Sequence, residues 1–590
     1  MLYPTLNEQA TSRQMVDTFR GYNHNLRISD GEFYDMNNLT SDYYPVLSPR
    51  GKRGMLQTAG RAQGLISKDA LCYVEDGNFI INGETVEDFR LTEGEKTLIS
   101  MGAYVIIMPD KKYINTEYTN DKGNIEASVT TSGTVKFSLS KMDASEYNVD
   151  YIQETEPTNP SNMQMWIDTS TIPHSMKQWS DTNGMWVSIA TTYVKIEAAD
   201  IGKAFEQYDG ITISGLDGDI IDSNTGEKVE AQQIKDLNGS AIVYSKGDNY
   251  IVVVGILDAG RTISNAVTIS RTMPNMDFII ERENRLWGCR YGQATNGEIV
   301  NEIYASALGD FKNWNRFMGI STDSYAASVG TDGAFTGAIT HLGYPLFFKE
   351  GCVHKVYGNF PANFQIQDTA LRGVQKGCEK SLAIVNEVLY YKARHAVCAY
   401  DGSLPTEVSY VMGDKRYSEA VGAAHGNKYY ISMKDSDGYN LFVYDTAKGL
   451  WHKEDGFHVT GLCSCAEELY AMDNTGKIIT LMGSCEPDEG DVEWMAETGE
   501  LMLTSPDMKY ISRLTVRMSL DIGASVDFYA QYDLSDEWVH LCTMNGTSLR
   551  SFSVPIRPRR CDHMKLRIVG NGVGKIYSIT KTIEQGSELS

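Results

Sequence analysis

The sequence has no run approaching the roughly 18–20 apolar residues of a membrane-spanning helix, so no membrane span is expected. Its start, Met1-Leu-Tyr-Pro-Thr-Leu-Asn-Glu, lacks the basic opening and apolar stretch of a secretory leader. No Cys-x-x-Cys occurs among the ten cysteines, and no spacing typical of a zinc site. Most of these cysteines sit in apolar strand-like runs and read as reduced, buried thiols; Cys463 and Cys465 share a strand face. There is no Gly-x4-Gly-Lys-Ser/Thr phosphate loop, no Gly-x-Ser-x-Gly elbow and no His-Glu-x-x-His. Positive charge is in deficit: 53 Lys and Arg face 77 Asp and Glu, a net charge of −24. That balance excludes a general nucleic-acid binder, which needs clustered cations for phosphates. It suits solubility, or a surface that DNA slides past.

What is present points to strands. The 590 residues exceed one ordinary core, so about two to four domains are expected. A hydrophobic content of 42% excludes a disordered chain. Tyr outnumbers Phe, 34 to 18, as suits half-exposed strands where the ring packs and the hydroxyl stays wet. Glycines cluster with polar residues between short apolar runs, the punctuation of an all-β chain.

Residues 1–60 read as an extended N-terminal arm, rich in turn formers and aromatics. From 61 to 116 short strands alternate with turns, among them Asp76-Gly77 and Asn82-Gly83. Residues 117–272 read as an insertion of one or two small β domains, with a Trp-rich unit from Met165 to Thr192 and a helical stretch at Ala198–Tyr208. From 273 to 485 strand–turn–strand units recur roughly every 40–50 residues, the spacing of propeller blades. Examples are Lys428–Ser432 with Tyr439–Asp445, and Glu387–Tyr391 with His395–Gly402. Tyr444-Asp445 and Gly449-Leu-Trp451 add a blade-like ending, with the Trp placed between blades. Residues 486–590 alternate strictly in several runs and read as a β-sandwich. The expected fold is all-β: a propeller-like body, an inserted β module and a C-terminal β-sandwich. Tandem β-sandwiches are the rival.

Candidate chemistry is sparse. Asp110, Asp310, Asp332, Glu350 and Asp401 lie at strand ends, where a propeller glycosidase would hold its paired carboxylates; the turn contexts Asp332-Gly333 and Asp401-Gly402 favour local hydrogen bonding instead. Asp435–Asn440 resembles half a calcium loop but falls between two strands, as a polar hairpin does. Trp166, Trp179 and Trp186 fit the core of a small domain or a platform for sugar rings. Tyr44, Arg50 and Arg53, and the basic run Arg557, Arg559 and Arg560, are candidate contacts with a neighbouring subunit or partner. No catalytic residue, cofactor or metal ligand is assigned, and the chain is not expected to be an enzyme.

Several stretches resemble structural proteins of tailed bacteriophages, the packaged-DNA stabilisation and tail hub proteins of the neck. Asn37-Asn-Leu39 with Tyr44-Pro-Val-Leu-Ser-Pro-Arg50 is similar to their N-terminal region. Asn284-Arg-Leu-Trp287, Ile303-Tyr-Ala-Ser306, Gly309-Asp-Phe-Lys-Asn-Trp314 and Leu346–Glu350 are similar to their propeller segments. Arg559–Asp562, Gly570–Gly574 and Glu584-Gln-Gly-Ser587 resemble the closing β domain of tail proteins, and Trp166–Ser170 resembles small tail-fibre modules. The resemblance implies a place in the virion, reached from the host bacterial cytoplasm during assembly. It implies a cyclic homo-oligomer of about six or twelve copies around the DNA conduit. Expected partners are the portal, adaptor, tail tube or nozzle, and fibre, with a passing contact to genomic DNA. A host-surface glycan-binding tail protein and a propeller-fold glycosidase are the alternatives.

Overall fold

Short alternating runs and tight turns set the architecture of the computed structural model, which describes residues 11–56, 61–294, 297–485, 489–502, 508–533 and 535–585. Among the described residues the only α-helix is the four-residue Gln232–Lys235. The body is propeller-like and is built from four-stranded antiparallel sheets following one another along the chain. The first comprises Ala62–Lys68, Ala70–Glu75, Asn78–Ile81 and Glu84–Arg90. The second runs from Thr97–Met101 to Lys122–Asn124, and the third from Phe278–Arg282 to Tyr325–Ser328. The fourth, fifth and sixth begin at Gly337, Ala383 and Ser418. The seventh, Val459–Cys465, Glu468–Asp473 and Ile478–Thr480, takes its outer strand, Gly54–Leu56, from the N-terminal arm. Several hairpins within these sheets close on two residues with positive φ, as at Asp76-Gly77 and Asn386-Glu387. That geometry matches the right-handed twist of the flanking strands.

The chain divides into two compact units. One holds the described residues of 1–98, 335–355 and 368–590. Here the arm is folded in rather than extended. Its strands Thr11–Val16, Gly21–Tyr22 and Glu32–Asn37 join an eight-stranded sheet with Glu493–Thr498 and the long C-terminal strands. One large apolar core in this unit joins Phe19 and Phe33 of the arm, Tyr391, Tyr429 and Phe442 of the blades, and Trp494, Phe528 and Ile568 of the C-terminal sheet. Each such fully buried side chain stabilises the fold by about 1.5–3 kcal/mol. Trp451 donates its ring N–H to the carbonyl of Val408 (2.7 Å), linking the sixth sheet to the chain leaving the fifth. The strand Lys509–Tyr532 pairs with 574–585 as far as Leu520 and with 564–571 from Ser525. The change of partner falls at 521–524, where Gly523 has φ +92° and the sheet turns a corner. Of the closing motif at 584–587, residues 586 and 587 lie outside the described residues.

The other unit holds the described residues of 99–334 and 356–367. Its inserted module begins after Asn124, since Lys122–Asn124 still pairs within the second sheet. Two sheets face each other over Val135, Phe137, Val194, Ile196, Ile211, Ile251 and Ile269. A smaller sheet, Tyr151–Gln153, Met165–Asp168, Ser175–Ser180 and Met185–Ser188, is looped out between two strands of this sandwich. The stretch 198–208 is a series of turns, which corrects the helical expectation. Gly202 lies so close to the backbone of Gly247 and Tyr250 that a Cβ would clash, while Ile201 and Phe205 plug the core. A helix would carry those anchors off the sheet.

Candidate functional site

A propeller glycosidase needs carboxylates free to exchange protons near a sugar. The five sequence candidates instead lie in turns and connections. Asp401 accepts from the amide (3.0 Å) and hydroxyl (2.6 Å) of Ser403. Asp310 accepts from the amide of Lys312 (3.0 Å) and the side chain of Asn313 (2.6 Å). Glu350 accepts from the amide of Lys376 (3.3 Å) and is exposed, as is Asp332, while Asp110 is half-buried. Two buried carboxylates, Glu468 and Asp323, accept from backbone amides. Glu468 accepts from the amides of Leu469, Met482 and Ser484 (2.8, 2.7 and 2.8 Å). Asp323 accepts through one oxygen from three successive amides, those of Met318, Gly319 and Ile320, while its other oxygen is buried without a hydrogen-bond partner. Asp435 accepts from the amides of Asp437 and Gly438, and Lys415 pairs with both Asp435 and Asp437, so this loop is a hairpin closed by a lysine. Among the described residues no group of three or more His, Cys, Asp or Glu is arranged to hold a metal ion.

Arg50 and Arg53 are buried inside the chain, which corrects their reading as partner contacts. Arg50 grips Glu489 with two parallel hydrogen bonds (2.7 and 2.8 Å) and donates to Asn38 (2.9 Å). Arg53 reaches Glu454 (2.6 Å) and Asp455 (2.8 Å), and its amide donates to Glu489 (2.9 Å). Burial opposes ionisation of Glu489, but the hydrogen bonds from Arg50 and the Arg53 amide outweigh it and hold the carboxyl below its usual range. A basic stretch looked like surface in the sequence because its acidic partners lie about 400 positions away. Tyr44 stays 40% exposed. Arg557, Arg559 and Arg560 are exposed on the connection after the strand Val539–Val554, with Arg559 over the ring of Tyr532.

The three tryptophans form one cluster. Trp186 packs edge-on against Trp166 (5.4 Å between centroids) and Trp179 (5.6 Å). Trp166 and Trp186 are only 4% and 8% exposed, and Trp179 is half-buried. Trp166 donates to the carbonyl of Gln153 (2.9 Å) and carries Lys177 over its face. Lys177 and Ser170 hold the Asp168 carboxyl down to about 2. The cluster is the core of the small sheet, and the exposed aromatic row that a glycan platform requires is absent from it.

Beside that sheet lies a feature the sequence did not disclose, a cleft of about 690 Å³. Ile172 and His174 line one side; Asp219, Lys228, Glu230, Gln232, Asp236 and Asp258 line much of the rest. Lys228 pairs with Asp219 (2.6 Å), and Gln232 donates to Asp236 (2.7 Å). One carboxylate oxygen of Asp258 is buried without a hydrogen-bond partner. No Trp, Tyr or Phe lines the cleft. Its acceptors and amides suit a polyhydroxylated or amine-bearing ligand.

No protein-family model matches the chain, and no curated protein matches it. Solved structures similar to it include an exo-β-1,3-galactanase from Phanerochaete chrysosporium, at 9% identity over 51% of this chain and 94% of that one, TM-score 0.22. An acylaminoacyl peptidase from Pyrococcus horikoshii is similar at 11% identity over 51% of this chain and 46% of that one, TM-score 0.23. The extracellular domain of a one-component system from B. thetaiotaomicron is similar at 10% identity over 92% of this chain and 98% of that one, TM-score 0.24. The protein is of the all-β class, with a propeller-like body, an inserted β module and a C-terminal β-sandwich. Because its fold neighbours include a glycoside hydrolase and a peptidase, the expectation that the chain is not an enzyme is withdrawn. At TM-scores of 0.22, 0.23 and 0.24 these likenesses assign no activity to this chain.

Proposed function

We propose that this chain is a structural component of a tailed-phage virion, at the head-to-tail neck or tail hub, forming part of a ring around the DNA conduit. The observation that carries this reading is how the residues behind the phage resemblance are used. Arg285 of the Arg-Leu-Trp motif is buried and donates to the carbonyls of Ser306, Ser321 and Asp323 (2.8, 2.7 and 2.5 Å). Burial and the nearby Arg316 lower its pKa to about 10. Trp314 of the Gly-Asp-x-x-Asn-Trp motif donates to the carbonyl of Phe311 (3.0 Å). Arg50 of the N-terminal motif is spent on Glu489 and Asn38. Motifs committed to holding loops in place suit a protein whose role is to hold shape. Native mass spectrometry of the chain with portal, adaptor and tail proteins tests this. A discrete ring of about six or twelve copies on that complex supports it; a chain that ignores those partners removes it.

A second reading, a carbohydrate-directed tail protein that binds or cleaves host-surface glycan, is favoured by the cleft and the unpartnered oxygen of Asp258. Glycan-array binding and release of reducing sugar, each compared with Asp258→Asn, test it. Signal that falls with this substitution supports the reading; absence of both binding and release removes it.

A further inference from the structure

The strand Val539–Val554 is 16 residues long and pairs with Lys509–Tyr532 along one edge. Among the described residues its other edge has no pairing strand. Edge strands are ordinarily blunted by lysine, proline or brevity, because their free N–H and C=O groups recruit another chain. This edge has neither lysine nor proline, and Arg550 is its one formal charge. It bends at Gly546, opposite the corner at 521–524, and pairs on both sides of that bend.

The two ends of the strand carry opposite charge. Asp536 and Glu537 precede it; Arg557, Arg559 and Arg560 follow it; all five are exposed. From Val539 to Arg560 there is no carboxylate, in a chain of net charge −24. A second copy laid parallel along this edge would set acid beside acid and base beside base. Laid antiparallel, each copy's Asp536 and Glu537 fall beside the other's arginines. Matching these charges places the two-fold axis between Gly546 and Leu549, where both copies turn the same corner. Backbone pairing of this kind needs a polypeptide strand, which a nucleic acid cannot supply.

We propose that the outer edge of Val539–Val554 docks a second copy of this chain, antiparallel, about a two-fold axis near Thr547. Such an isologous contact closes after two copies. It therefore differs from any contact that closes a ring, and it does not rest on the virion reading. It covers, in the free chain, an edge that would otherwise gather strands indiscriminately.

The test uses the full chain, by native mass spectrometry and sedimentation at low and high salt. A dimer is expected, weakening as salt rises. In a Cys542→Ser background, Thr547→Cys should cross-link into a dimer with a short bis-maleimide, and Ser553→Cys should not. Reversing Arg557, Arg559 and Arg560 to Glu should weaken the dimer about tenfold or more. Adding Asp536→Lys and Glu537→Lys should restore it, which a merely misfolded variant would not do. A monomer at all concentrations, a dimer indifferent to charge reversal, or a monomer that binds DNA through these arginines overturns the proposal. A dimer without affinity for portal or tail proteins upholds it and removes the virion reading instead.

Discussion

Arg271 and Asp209 form a buried ion pair at the neck of the inserted module. Asn313 donates to the same carboxylate (2.8 Å), and its own side-chain oxygen accepts from the amide of Gly210 (2.8 Å). Arg271 also donates to the carbonyl of Ile125 (3.2 and 3.1 Å). Both ends of the insertion are thereby tied to the loop Gly309–Trp314. Removing one member strands the others without water. Asp209→Ala is expected to cost about 3–5 kcal/mol, because an unpaired guanidinium remains buried. The double change Asp209→Leu with Arg271→Met should recover much of that loss. Thermal melts of the three proteins check this; equal losses for the single and double variants would show the pair is not the cause.

The arm offers a contrast between two arginine groups. Arg53→Ala removes the short ion pairs of Glu454 and Asp455 and leaves them only the longer contacts with Arg50 (3.7 and 3.6 Å). It should cost about 1–3 kcal/mol and open the arm to protease. Arg559→Ser alters an exposed residue and should stay within about 0.5 kcal/mol. Denaturant unfolding of both variants measures the difference.

Much of this architecture was legible and some was not, for physical reasons. Blades showed because strand and turn signals are local: Asp76-Gly77 and Asn82-Gly83 advertise φ > 0. Leu342-Gly343 and Asn386-Glu387 make similar turns with less typical residues, and only their flanking strands marked them. The pairing of Gly54–Leu56 with Ile478–Thr480 has no local signal at all, since it joins residues more than 400 positions apart. The same distance hid the partners of Arg50 and Arg53. Lys509–Tyr532 reads in the sequence as two alternating runs, Tyr510–Met518 and Ala524–Ala530, because the corner at 521–524 interrupts its alternation. Thr543–Ser553 went unseen because a free edge strand has little buried face to alternate against. The cleft was invisible because it is lined by ordinary polar and aliphatic residues from separate segments, with no motif among them.

Two buried histidines give the fold a defined acid sensitivity. Burial, with Lys428 adding, lowers the pKa of His452 to about 3; Asp445 and Asp42 pull the other way. Burial, with Lys349 adding, lowers His354 to about 4 against Asp368. Both imidazoles are neutral in the folded chain, whereas the unfolded chain takes up these protons near pH 6.5. The unfolded state thus binds more protons below that value. Stability is complete above about pH 6.5 and falls as pH drops toward 4, before most carboxylates titrate. At pH 5 each histidine accounts for a loss of about 2 kcal/mol. Melting temperatures at pH 7.5 and 5 should differ, and His452→Asn should narrow the difference. An unchanged pH slope in that variant would locate the sensitivity elsewhere.

The tryptophan cluster separates packing from recognition. Trp186 lies between Trp166 and Trp179 with Tyr151 at its edge, so its removal empties the centre of a very small core. Trp186→Ala should cost about 3–5 kcal/mol, expressed as early melting of residues 151–188 in hydrogen exchange. Trp179, half-buried and donating to Asp181 (2.7 Å), should cost less when changed to Ala. Neither residue lines the cleft. If glycan binds in the cleft, Trp179→Ala leaves affinity intact and Asp258→Asn lowers it. If an aromatic face is the platform, the order reverses, because Trp179 is the member of the cluster with the most ring left open to a sugar. Binding measured on these two variants, both folded by hydrogen exchange, decides between an aromatic and a carboxylate recognition surface.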